Sequence, residues 1–128
     1  MKEIKGGVCA PLGFQAAGIH CGIRKNKTKK DLSLIVSDVM CHAASTYTLN
    51  KVKGAPIVVT KQHLLNGEAK AIICNSGNAN TCNPNGEDIA NQVCDLCADA
   101  LNIKADYCCI YRGHWTAIRY YTISNSYE

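Results

Sequence analysis

The side chains able to do chemistry in this sequence are nine cysteines, four histidines and one run of asparagines. The cysteines stand at 9, 21, 41, 74, 82, 94, 97, 108 and 109, without a repeating spacing. Cys94-Asp95-Leu96-Cys97 is the only C-x-x-C, with no second pair and no histidine pair at zinc-finger spacing. It therefore reads as two helix-face thiols rather than a metal or redox centre. His20, His42, His63 and His114 show no ligand spacing either. His20 lies among small residues and reads as a core or edge histidine, and Asp38, after Ser37, as a turn cap. Ser-His-Asp, phosphate-loop, dinucleotide-binding and H-E-x-x-H signatures are absent.

The run Asn75-Ser76-Gly77-Asn78-Ala79-Asn80 is different. It follows an apolar stretch and precedes the Pro84-Asn85-Gly86 turn. Asparagine donates, accepts and tolerates the left-handed backbone region, so the run suits a substrate-contacting loop or an elaborate turn. Residue chemistry leaves both open. The candidate binding residues are Asn75, Ser76, Gly77, Asn78 and Asn80, and no catalytic or metal-ligating residue stands out.

Several elements must position that run. Gly13 to Ile23 is dense in small residues and suits a strand packed closely under another layer. The basic break Arg24–Lys30 leads into a partner strand, Asp31–Ser37, so the two form a hairpin with a solvated tip. Ala43–Leu49 reads as a third strand and Pro56–Thr60 as a short β-branched one. Lys61–Gly67 suits one or two helical turns closed by Gly67, and Ala69–Cys74 a buried strand. From Glu87 to Leu101 the apolar residues Ile89, Val93, Leu96, Cys97, Ala100 and Leu101 recur at helical period, with Glu87 and Asp88 in the first turn. Strands followed by a long helix imply a mixed α/β layered fold.

At 128 residues the chain suffices for one domain of ordinary size. With 47% hydrophobic and 19% charged residues it is globular, not disordered. No apolar run nears the roughly 18 residues that cross a bilayer. Met1 to Gly7 lacks the apolar stretch of a secretory signal, so the expected compartment is a reducing cytosol where thiols act as small hydrophobes. A net charge of +4 is too mild to indicate nucleic acid or an anionic membrane. On these grounds alone the chain could be a small cytosolic ligand-binding module using the Asn75–Asn80 loop.

Four segments, in order, resemble one family. Gly13-Phe14-Gln15-Ala16-Ala17-Gly18-Ile19-His20-Cys21-Gly22-Ile23, Asp31-Leu32-Ser33-Leu34-Ile35-Val36-Ser37-Asp38, Asn50-Lys51-Val52-Lys53-Gly54-Ala55-Pro56 and the Asn75–Asn80 run look like the bifunctional ornithine acetyltransferase / glutamate N-acetyltransferase of arginine biosynthesis. The resemblance covers most of the chain but only the start of a family member. It implies the N-terminal part of an αββα-type domain and a self-cleaving precursor whose new N-terminal threonine attacks the acetyl group of N-acetylornithine. That acetyl group passes to glutamate, and some members also accept acetyl-CoA. No cofactor and no metal are implied, and the intact member is an oligomer of cleaved chains. The family nucleophile falls beyond position 128.

The family's oxyanion-stabilising Thr-Gly belongs to an Ala-Ser-Thr-Gly-Val-Ile-Gly stretch soon after the long helix. Here the chain reads Cys109-Ile110-Tyr111-Arg112-Gly113-His114-Trp115-Thr116-Ala117-Ile118. Synonymous codons exist for Cys109 to Arg119 that, read one base later, spell Ala-Ser-Thr-Gly-Val-Ile-Gly-Gln-Pro-Leu. Tyr107, Tyr111, Trp115, Tyr120, Tyr121 and Tyr127, six of the eight aromatics, crowd the same end. The expectation is a partial family domain over 1–106 and an out-of-frame tail without evolved structure over 107–128, the whole inactive alone for want of oxyanion hole and nucleophile.

Overall fold

The computed structural model describes residues 5–112. Six main elements follow one another: β1 (Phe14–Ile19), β2 (Leu32–His42), α1 (Ala55–His63), β3 (Glu68–Asn75), α2 (Gly86–Leu101) and β4 (Cys108–Arg112). The strands form one sheet in the order β1-β2-β3-β4. The first two pairings are antiparallel, and β3 runs parallel to β4 through the α2 crossover. This is the mixed α/β layered architecture expected, and no helix among the described residues is long and apolar enough to cross a membrane.

Alternation along the strands sends Leu34, Val36, Ala71, Ile73, Cys108 and Ile110 to the helix-covered face. There they meet Val59 of α1 and Ala90, Cys94, Cys97 and Ala98 of α2. The side chains are mostly small, so helix and sheet backbones approach closely. Their narrow stripe corrects the predicted apolar face of α2: Ile89 and Leu96 are exposed, while Ala90, Cys94, Cys97 and Ala98 are buried. Size misled the reading, because the sheet accepts alanine and cysteine where isoleucine or leucine would hold the layers apart.

Two predicted strands are not strands. Ala43–Leu49 takes no regular structure. The β-branched run Ile57–Thr60 lies inside helix α1, which starts with Pro56 in its first turn, where the missing N–H costs nothing. Tertiary contacts override the local strand preference of such residues. Helix α1 lies along the free edge of β4. Thr60 Oγ1 donates to the Ile110 carbonyl at 2.8 Å and accepts from the Ile110 N–H at 3.2 Å. His63 Nδ1 lies 2.7 Å from the Cys108 carbonyl, which can only accept, so Nδ1 carries the proton. The helix thus occupies the place of a fifth strand and closes an edge that could otherwise pair with another chain. Gly67, at φ 72°, closes the turn after α1 as expected.

Tyr107 to Arg112, the first residues of the segment expected to be out of frame, complete a 3-10 turn and form β4. Cys108 and Cys109 are fully buried. His114, Trp115 and the rest of that segment lie outside the described residues.

Candidate functional site

Because β3 and β4 are parallel, they end at the same side of the sheet, with Asn75 opposite residue 112. The N-termini of α1 and α2 arrive there too. Ala55 N–H donates to the Asn80 carbonyl at 3.0 Å, tying the start of α1 to the asparagine loop. Gly86 opens α2, and a Cβ on it would lie 3.1 Å from the Ala55 Cβ, so glycine lets the two helix starts come together.

These elements enclose a cavity of about 240 Å3. Its floor is apolar, from Leu32, Ile73 and Ile110 of the sheet, Pro56 of α1, Ile89 and Val93 of α2, and Ile23. Four amides rim it: Asn75, Asn78, Asn80 and Asn83. Asn75 and Asn80 are paired, Asn80 Nδ2 donating to Asn75 Oδ1 at 2.6 Å and Asn75 Nδ2 to Asn80 Oδ1 at 3.4 Å. Each amide keeps a second N–H and a second lone pair for something else. Asn80 sits in the left-handed region at φ 52°, and its N–H donates to Asn78 Oδ1 at 3.2 Å. The run is an elaborate turn, and its amides converge on the rim of a concave, mostly apolar cavity.

Of the five candidate binding residues, Asn75, Asn78 and Asn80 line this cavity, whereas Ser76 and Gly77 do not. Ser76 Oγ accepts from Arg24 Nε at 2.9 Å, and its N–H donates to the Asp31 carbonyl at 2.9 Å. Gly77, at φ 99°, packs on Arg24 and Ile23. Both belong to the support of the loop.

Asp31 was legible only as the first residue of a strand, yet it organises this support. Its buried carboxylate accepts the Cys21 N–H at 2.7 Å and the Arg24 N–H at 2.9 Å. His20 Nδ1 lies 3.0 Å from Asp31 Oδ2 and 3.2 Å from the Lys29 carbonyl, so it too carries its proton toward acceptors. The Arg24 N–H above all, then that of Cys21, holds Asp31 well below the usual carboxylate range against the opposing effect of burial. A lone aspartate opening an apolar strand straight after a basic turn was the available signal. Asp38, read as a turn cap, instead accepts from Gln15 Nε2 at 2.9 Å across the β1–β2 pair.

The cysteines of α2 and β4 behave as core. Burial pushes the thiols of Cys94 and Cys109 up, to about 12 and about 11. The neighbouring Cys97 thiol and burial together hold the Cys108 thiol well above its ordinary range. Among the described residues no three His, Cys, Asp or Glu side chains converge to hold a metal.

Comparison with known proteins gives this geometry a setting. Residues 15–112 match the ArgJ family. The arginine biosynthesis bifunctional protein ArgJ of Symbiobacterium thermophilum is 44% identical over 108 residues, covering 83% of this chain and 27% of that protein. ArgJ of Staphylococcus epidermidis is 41% identical over 109 residues, covering 84% and 27%. The chain thus spans about a quarter of the length of these relatives. The crystal structure of ArgJ from Bacillus halodurans superposes with a TM-score of 0.78 at 36% identity, covering 88% of this chain and 59% of that one. Ornithine acetyltransferase from Mycobacterium tuberculosis, complexed with ornithine, gives 0.76 at 34% identity, covering 87% and 61%. By sequence and by fold, this chain belongs to the ArgJ family.

Proposed function

We propose that this chain is the N-terminal portion of an ornithine acetyltransferase / glutamate N-acetyltransferase, and that its asparagine loop contacts the amino-acid substrate. One observation carries the reading. In the parallel β3–β4 register, Cys74 faces position 111 and Asn75 faces position 112. Read one base later, the Ala-Ser-Thr-Gly of the family falls on positions 109 to 112, so its oxyanion-stabilising Thr-Gly takes positions 111 and 112, beside Asn75. Substrate loop and oxyanion donors then share one rim, which is where acyl transfer needs them. The ornithine held by the Mycobacterium tuberculosis relative supports an amino-acid ligand.

With Tyr111 and Arg112 where the family has Thr-Gly, we infer that the oxyanion donors are missing and that these 128 residues carry out no acetyl transfer by themselves. The test pairs the 128-residue chain with the product of the same gene after one base is removed near codon 108. Acetyl transfer from N-acetylornithine to glutamate is expected only from the second. Transfer by the 128-residue chain alone overturns the inactivity, and a restored frame that stops at once or yields an inactive protein overturns the assignment.

A further inference from the structure

The basic segment Arg24–Lys30 reads as a solvated hairpin tip, and Lys25 to Lys30 are indeed exposed. Arg24 is not part of that picture. It is partly buried, its N–H is fixed by the Asp31 carboxylate at 2.9 Å, and its Nε donates to Ser76 Oγ at 2.9 Å, 52 residues away. Ser76 N–H returns to the Asp31 carbonyl at 2.9 Å. Ile23, the neighbour of Arg24, forms part of the cavity wall. Over the same spot lies Gly77, where a Cβ would stand 2.8 Å from the Arg24 Cγ and 3.3 Å from the Ile23 Cγ2. Two loops far apart in sequence are therefore stitched at both backbone and side-chain level, immediately before the amides of Asn78 and Asn80.

We propose that Arg24, anchored by Asp31, is a positioning residue that sets the asparagine loop over the cavity through its Nε–H bond to Ser76. The role belongs to that single N–H and not to the guanidinium charge. Local bonds at the site of chemistry matter because a rim displaced by about 1 Å loses most of its effect. The inference rests on the reading of the Asn75–Asn80 loop as a substrate contact only for its functional meaning; the stitching itself needs no ligand.

Two near-isosteric substitutions separate donor from charge. In Arg24→Gln the side-chain N–H falls where Nε stands, and in Arg24→Met a methyl group falls there. Amide hydrogen exchange of the full 128-residue chain reads the outcome. Arg24→Met is expected to speed exchange at Ser76–Asn80 by roughly tenfold while the α2 amides Val93–Ala98 keep their protection. Arg24→Gln should stay near the parent, and Ser76→Ala should mimic Arg24→Met from the other side. The proposal is overturned if Arg24→Met leaves the loop unchanged, if Arg24→Gln is as fast as Arg24→Met, or if both Arg24→Met and Ser76→Ala strip α2 as well, since the contact is then a general folding element. Adding ornithine to the same samples tests the substrate reading separately: loop protection that does not respond to ornithine counts against that reading and leaves the exchange result standing.

Discussion

Two side-chain devices pin backbone in this fold, and water reaches their bonds to different extents. Along β4, Thr60 and His63 close the strand edge beside a fully buried Cys108, with Thr60 itself only 3% exposed. At the cavity, Asp31, Arg24 and Ser76 hold a loop whose neighbours Lys25 to Lys30 are in water. The bonds are of one kind, side chain to side chain or backbone at 2.7–3.2 Å, but their consequences differ. A group left unpaired in the core has no water to turn to, so its loss falls on stability. At the loop, Arg24 and Ser76 are only partly buried, so water can replace the bond between them, and its loss falls on geometry. The β4 edge decides whether the layers stay together; the Asp31 support decides where the asparagines point.

Thr60→Val is the sharpest way to break this contrast. The replacement keeps the shape and removes the hydroxyl, leaving both the N–H and the carbonyl of Ile110 without their partner. A stability loss of about 2–3 kcal/mol is expected from denaturant unfolding, larger than for removing the partly exposed Arg24–Ser76 bond. A change under about 0.5 kcal/mol, the ordinary scatter of surface substitutions, would show that water reaches this edge and that the two devices are alike.

What the sequence revealed of these devices follows from how local each one is. β1, β2, β3 and α2 were legible because their patterns are carried by their own residues. Ile57–Thr60 was not, because its helical state depends on lying against β4, some 50 residues later, and the local β-branched preference points the other way. The asparagine loop was legible as a candidate through its side-chain chemistry, and three of its five candidate residues line the cavity. The contacts of Ser76 and Gly77 with Arg24 were hidden because Arg24 lies about 50 residues away, whereas Asp31, only seven residues from Arg24, offered no pattern beyond opening a strand. The buried face of α2 was misread for a different reason: apolar period selects large side chains, whereas close packing on the sheet selects small ones.

Gly77→Ala sharpens the loop side of the comparison. A methyl group there meets Arg24 at 2.8 Å and must adopt φ 99°, so the substitution is strained by both space and backbone. A cost of about 1–2 kcal/mol is expected, smaller than for Thr60→Val, with chemical-shift changes gathered at Ile23, Arg24 and residues 75–80. Shifts spread through α1 and β4 would instead join the two devices into one cooperative unit.

The smallest effect concerns acid. Asp31 has a folded-state value below the ordinary 3.8, chiefly because the Arg24 N–H bonds to the ionised form, with His20 the least of the causes. A lowered carboxylate contributes stability that is fully present above the unfolded value and is lost as pH falls through the folded one. Between pH 7 and 4 the support is therefore expected to hold, and the carboxyl carbon of Asp31 should keep the chemical shift of the ionised form throughout. Protection of Ser76–Asn80, corrected for intrinsic exchange, should begin to fall only below 3.8, as the carboxylate gains a proton and releases Cys21 and Arg24. A titration of that carbon centred above 4 would mean that the two N–H bonds do not outweigh burial, and that the loop is placed by packing of Ile23 and Gly77 rather than by charge-assisted bonds.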